Sequence, residues 1–304
     1  MKTRLVLFLL TAVVVSTATA DIRIGTWNVE WLYDHKNSKT GVTLEKEMNA
    51  PSKKEYFQRI DSFAEAINKL NPDFLALQEI EGRHILKALA GALRSGYGKR
   101  YRYAFIEGTD THTGQDVGLL IREGWNHQQK RFRFDRNSNP RGRNLSKHLR
   151  VDLSRGNERF TVVIVHLLTD QKKRLQQAYT LRSWLDELDR KQLVVLGDFN
   201  TKARFSQTSK GSDVGVIRGF KTASANDDLY DAHQKLGKRA THVSGRQLDR
   251  ILLSRPLWKR LDRVWVSPKL AVKGNEDRGR KVLYSEPVST QDLSDHYPLM
   301  IQLK

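Results

Sequence analysis

Apolar and polar residues follow two rhythms along this chain. Ile22 to Val29 reads as a strand. After a polar loop, Tyr56 to Leu70 sets Ile60, Phe63, Ile67 and Leu70 on one face of a 3.6-residue repeat, which predicts a helix. Asn71-Pro72 stops that helix, because proline pushes the residue before it out of the helical region. Phe74 to Ile80 follows as a second buried strand. The order then returns: Phe160 to Leu167 predicts a strand, and Leu193 to Leu196 another. Between them Arg174 to Leu188 predicts a helix with Leu175, Ala178, Leu181, Leu185 and Leu188 on one face. The chain closes on the apolar strand of "LSDHYPLMIQL", Leu293 to Leu303.

Strands joined by such helices within one sheet run parallel, so their carboxyl ends share an edge. The residues at those ends are chemically alike. "IGTWN" finishes on Asn28, "FLALQE" on Glu79, "VVIVH" on His166, and "LVVLGDFN" on Asp198 and Asn200. One polar ending is what any strand entering a loop shows. Four of them on shared edges predict an active-site rim.

The N-terminus changes the picture of where this fold resides. Met1 to Arg4 carries two positive charges, Leu5 to Val15 is apolar, and Ala18-Thr19-Ala20 is a small-residue cleavage pattern. Together these predict a secretory signal peptide over residues 1–20, cut before Asp21, and a periplasmic or secreted protein. The apolar run is short for a membrane span and no other stretch approaches that length, so no stable membrane association is expected. Residues 21–304 show no repeat, heptad or long linker and are read as a single domain, expected to be monomeric. Lys and Arg number 53 against 34 Asp and Glu, a net charge of +19. Loss of Lys2 and Arg4 leaves 51 against 34, or +17, which points to a polyanionic partner. The absence of cysteine excludes disulfides and thiolate metal sites.

Asn28, Glu79, Asp198, Asn200 and Asp295 all offer oxygen, a donor set suited to Mg²⁺, Mn²⁺ or Ca²⁺. No H-E-x-x-H, G-x-S-x-G, Walker A or C-x-x-C pattern is present, so zinc proteases, serine hydrolases and P-loop enzymes lose their usual support. A hard cation with carboxylates and two histidines fits phosphoester hydrolysis.

The pieces "GTWNVEWL", "LALQEI", "DVGLLIR", "VHL", "LGDFN", "LDRILLS" and "SDHYPL" run in that order from Gly25 to Leu299. In this the chain resembles the endonuclease/exonuclease/phosphatase superfamily, which includes pancreatic-type DNase, exonuclease III, neutral sphingomyelinases and inositol 5-phosphatases. The resemblance implies a four-layer α/β sandwich, two mixed β-sheets packed face to face with helices outside. It implies Glu79 as principal metal ligand with Asn28 and Asp295 beside it, and Asp198 as the group that orients or deprotonates the attacking water. Asn200 would hold phosphate and nucleophile, His166 would donate to a phosphate oxygen, and His296 would be the general acid/base, oriented by Asp249. Asp116 of "GQDVGLL" would support His166, and Arg143 of "GRNL" would contact phosphate. DNase-type relatives carry an arginine two residues after the metal-binding glutamate; this chain has Glu81 there.

The substrate must be read from residues outside the motifs. Between Lys130 and Arg150 stand eight Lys or Arg and one acid, Asp135, and in "KRFRFDR" Phe132 and Phe134 alternate with arginines. Such a segment either faces phosphates and bases or is a half-buried strand with a solvated face. The basic field favours a nuclease of low sequence specificity acting on DNA first and RNA second. The alternatives are a sphingomyelinase or phospholipase C-like enzyme, which would need an exposed apolar hairpin, and, in another class, a non-catalytic nucleic-acid-binding protein or toxin subunit. "VVLGDFNTK" lacks the tryptophan and arginine that flank this motif in inositol 5-phosphatases.

Overall fold

The alternating pattern resolves into two sheets. The structure is a computed structural model and describes residues 21–36, 51–110, 112–189, 191–202, 204–222, 224–271 and 292–304; the expected signal peptide lies outside the described residues. Along the chain come β1 (Ile22–Leu32), α1 (Lys53–Leu70), β2 (Phe74–Ile80), α2 (Arg83–Tyr97), β3 (Tyr101–Ala104) and β4 (Asp116–Arg122). There follow β5 (Asn126–Lys130), β6 (His148–Arg155), β7 (Glu158–His166), α3 (Gln171–Asp186), β8 (Leu193–Asp198) and α4 (Asp213–Arg218). The last strands are β9 (Tyr230–Asp231), β10 (Asp249–Leu253), β11 (Leu261–Val266) and β12 (Leu299–Leu303).

One six-stranded sheet has the order β11-β12-β1-β2-β4-β3 and the other β5-β6-β7-β8-β10-β9. Both are mixed: β1 and β2 pair in parallel, as do β7 and β8, and their neighbours run antiparallel. Ile24, Phe74 and Leu119 from the first sheet meet Val162, Val194 and Ile251 from the second in a common core. The outer face of the first sheet packs on α1 and α2 through Trp27, Phe63, Leu77 and Leu86. The outer face of the second packs on α3 and α4 through Val163, Leu181, Val195 and Ile217. The result is a four-layer α/β sandwich. Among the described residues no helix is long and apolar enough to cross a membrane.

The elements start and stop for local reasons. Ser52 accepts from the Glu55 backbone N–H while the Glu55 side chain returns to the Ser52 N–H, a capping box that starts α1 at Lys53, three residues before Tyr56. Asn71 ends it in the left-handed conformation. Asp170 caps α3, which stops at Asp186, so Leu188 packs from beyond the helix against the cluster between the second sheet and α3. "KRFRFDR" is not a strand, because β5 ends at Lys130.

Candidate active site

Register brings the polar strand ends together. In the second sheet His166 of β7 lies opposite Asp198 of β8, and Asp198 lies opposite Asp249 of β10. In the first sheet Asn28 lies opposite Gln78, and irregularities then break both strands. Glu30, Trp31 and Glu79 all adopt positive φ there, at 43°, 51° and 63°. Leu75 and Leu77 face the outer helices, and Ile80 does too, so the parity of β2 flips across Glu79. That irregularity re-aims the glutamate from the helical layer toward the site, the usual effect of a β-bulge.

Asn28 ties the two sheets' acids together. Its amide donates to Glu79 Oε1 at 2.8 Å and to Asp198 Oδ2 at 3.1 Å, while its Oδ1 accepts from the Glu30 N–H at 3.0 Å. Asp198 is held further by the Asn200 N–H at 2.8 Å and the Asn200 amide at 3.2 Å. Burial pushes the Asp198 carboxyl up to about 7, with Asp249 and Glu79 adding repulsion. Burial also raises Glu79 above the usual carboxylate range. Asp295 goes the other way: burial opposes ionisation, but the hydrogen bond from His242 and the charge of His296 hold its carboxyl low.

His296 is 5% exposed and lies between acids. Its Nδ1 donates to Asp249 Oδ2 at 2.9 Å. Its Nε2 stands 3.9 Å from Asp198 Oδ2 and 3.8 Å from Asp295 Oδ1, too far for a direct bond and wide enough for a ligand oxygen to approach. Burial disfavours the charged ring, yet Asp249 and Asp198 outweigh it and hold the imidazole well above its ordinary pKa. His166 is the converse. Its Nε2 lies 3.5 Å from Asp198 and 3.7 Å from Glu79, and burial keeps the ring neutral, well below the ordinary value.

Asn28, Glu79, His166, Asp198, Asn200, Asp249, Asp295 and His296 therefore form one connected cluster. Asp116 and Arg143 stand differently. Asp116 Oδ1 accepts from the Gly108 N–H, while His166 Nδ1 has no hydrogen-bond partner among the described residues. Arg143 is exposed, and its backbone N–H donates to Thr180 of α3. Glu81 is buried, accepting from the Asp34 N–H at 2.6 Å and lying 3.2 Å from His84. Phe132 stacks on Trp184 with ring centroids 4.9 Å apart, so this ring belongs to the packing of α3.

Three site residues escaped the sequence reading. Glu30, two residues after Asn28, accepts from the Asp295 N–H at 2.9 Å, and burial lifts its carboxyl to about 8. Lys147 stands in the sequence as one member of the basic run from Lys130 to Arg150. It is buried, held by Asp110, Thr113 and Gln115, and its charge acts on Glu79 and His166. His242 reaches Asp295 Oδ2 at 3.1 Å. No motif marks His242; only the fold brings it beside "SDH".

The donor chemistry fits a hard divalent cation. Glu30, Glu79 and Asp198 are carboxylates whose ionisation burial opposes, clustered with Asp295 and offering oxygen only. Glu79 and Asp295 would hold the ion, with Glu30 beside them. Asn28, whose amide donates to Glu79 and Asp198, would stand beside the ion with them.

The model for the Endonuclease/Exonuclease/phosphatase family matches residues 25–296. No curated protein matches the chain. Among solved structures, D. rerio TDP2 complexed with single strand DNA product is similar at 14% identity and a TM-score of 0.56, over 94% of this chain and 100% of that one. The human Nocturnin catalytic domain with bound sulfate anion is similar at 19% identity and a TM-score of 0.54, over 93% and 94%. The endonuclease domain of TRAS1, a telomere-specific non-LTR retrotransposon, gives 12% identity and a TM-score of 0.54, over 94% and 99%. Identities this low carry the fold alone, and it is the sandwich described above.

Proposed function

Because the chain belongs to the endonuclease/exonuclease/phosphatase family, we propose that it is an exported, divalent-metal-dependent nuclease that hydrolyses DNA, and secondarily RNA, with little sequence preference. The observation that carries this reading is the convergence of Glu79, Asp198 and Asp295 with the Asp249–His296 pair in a chain of net charge +19. The single-strand DNA product bound to D. rerio TDP2 is in keeping with a polynucleotide substrate.

Each residue then has a distinct task. A bound Mg²⁺ or Mn²⁺ would neutralise phosphate charge during attack. Asp198, fixed by Asn28 and Asn200, orients the attacking water and takes its proton, its raised pKa making it a competent base. His296 keeps Nδ1 on Asp249 and turns Nε2–H toward the phosphoryl oxygens, as proton donor. His166 is a neutral donor to a non-bridging oxygen, and Lys147 adds positive charge behind it.

A gel assay tests this. The purified protein is incubated with plasmid, linear duplex, single-stranded DNA and RNA, with Mg²⁺ or EDTA, beside His296→Ala. Cleavage that needs Mg²⁺ and disappears in the variant is the expected result. Intact nucleic acid together with hydrolysed sphingomyelin would move the enzyme to the lipid phosphodiesterase branch.

A further inference from the structure

His242 sits beside the acid-histidine turn on a short stretch tied to both of its flanks. The Tyr297 N–H donates to Thr241 O at 2.7 Å, the Val243 N–H donates to Asp295 O at 2.9 Å, and His242 and His296 form an isolated antiparallel bridge between them. The His242 ring meets the His296 ring at 82°, with centroids 4.6 Å apart. Its own side chain is 15% exposed.

The tautomer follows from its neighbours. Nδ1 lies 2.9 Å from the Ser244 backbone N–H and 2.7 Å from the Ser244 hydroxyl, both able to donate to it, which leaves the ring proton on Nε2. Nε2 faces Asp295 Oδ2 at 3.1 Å, and a carboxylate can only accept. That bond occupies Oδ2 and leaves Oδ1 on the side of His296 Nε2. We propose that His242 is a positioning residue, which locks the Asp295 carboxylate in the rotamer that presents Oδ1 to a divalent cation. The arrangement repeats, on the metal-binding acid, what Asp249 does for His296: one partner of each acid-histidine pair fixes the other. Partners that orient ligating carboxylates typically carry about 10–100-fold in metal affinity or activity.

The inference rests on the reading of Asp295 as a metal ligand, and Mn²⁺ binding separates the two. Calorimetric titration of Mn²⁺ into the wild type, His242→Ala, His242→Gln and His242→Asn needs no turnover. Circular dichroism and metal-free melting check folding of each variant. Expected is a loss of about 10–100-fold in Mn²⁺ affinity for His242→Ala. His242→Gln, whose amide nitrogen reaches as far as Nε2, should return to within a few-fold of wild type, and the shorter Asn should not. A residue that only filled space would lower the melting temperature without this rescue order. Wild-type affinity in folded His242→Ala, or equal affinity in the Gln and Asn variants, would overturn the proposal. A wild type that binds no Mn²⁺ would overturn the metal reading, and the proposal with it.

Discussion

His296 stands 2.9 Å from Asp249 and 3.9 Å from Asp198, and the charges of both acids hold its proton against the cost of burial. Asp249→Asn removes one of these charges and allows the wrong tautomer. The rate should fall by about 10²–10⁴, a range typical of general acid-base groups. In the proposed mechanism the protonated ring is the active form, so a lower pKa should also move the alkaline limb of the kcat/KM profile to lower pH. Glu30 and Asp198 make a second prediction, about stability. Their carboxyls are raised to about 8 and about 7 in the folded protein, from values of 4.5 and 3.8. The native state therefore binds these protons more tightly than the unfolded chain, and the stability they contribute at acid pH is lost as pH rises through about 8. His296 is raised and works in the same direction. His166 is depressed, so its contribution is lost only as pH falls below 6.5 and is complete above that. Metal-free protein should accordingly melt at lower temperature at pH 8.5 than at pH 6.5, with Glu30→Gln flattening the dependence and Mn²⁺ restoring stability; a melting temperature that is level or rising over this interval would count against it. The residues that end apolar runs, Asn28, Glu79, His166 and Asp198, were legible in the sequence. Glu30 and His242 were not, because neither closes an apolar run and their relation to Asp295 spans 265 and 53 residues.

The strand that delivers Asp198 depends on one glycine. Gly197 has φ +140°, and a Cβ there would lie 1.9 Å from Val165 O on the neighbouring β7. Gly197→Ala would strain the backbone and force the parallel pair apart at the place where His166 and Asp198 face each other. Unfolding in urea should show a loss of more than about 1 kcal/mol, together with reduced hydrolysis; a fully stable, fully active variant would show that the edge tolerates the displacement. The periodic elements were largely legible. α1 and α3 carry their apolar stripes as read, with ends shifted by the Ser52 and Asp170 caps. The helix α2 was missed although Ile85, Leu86, Leu89 and Leu93 fall at helical spacing. The bulges were harder. Trp27 and Val29 face the outer helices, and so does Leu32, an odd number of residues later, because Glu30 and Trp31 absorb a parity change in left-handed conformations. An apolar run conceals such a switch, since either parity reads as buried. The aim of the Glu79 side chain therefore emerges only when β1 and β2 are paired.

At the scale of the whole molecule, a cluster of acids is embedded in a chain of net charge +19. Not all of the basic field read between Lys130 and Arg150 is available to a ligand. Arg131 donates to the Glu107 and Ser146 carbonyls, Lys147 is buried against Asp110, and Arg150 pairs with Asp152 at 2.9 Å. Arg133, Arg136, Arg141 and Arg143 are exposed. Their guanidiniums, not the count of basic residues in the run, are the expected phosphate contacts from this segment. Binding through phosphates releases condensed counterions, so affinity falls with the logarithm of salt in proportion to the contacts made. A small diester makes no such extended contact. Raising NaCl from about 50 to about 200 mM should therefore increase KM for a polynucleotide by at least about tenfold, with KM for bis(p-nitrophenyl) phosphate nearly unchanged. Combining Arg133→Ala, Arg136→Ala and Arg141→Ala should flatten the polynucleotide slope while leaving turnover of the small diester intact, because these side chains lie outside the catalytic cluster. Equal salt dependence for both substrates would mean that salt acts on the chemistry of the site, and that the positive field does not gather the substrate. A steep slope untouched by the triple variant would keep the polyanion and transfer its contacts to other basic residues of the chain.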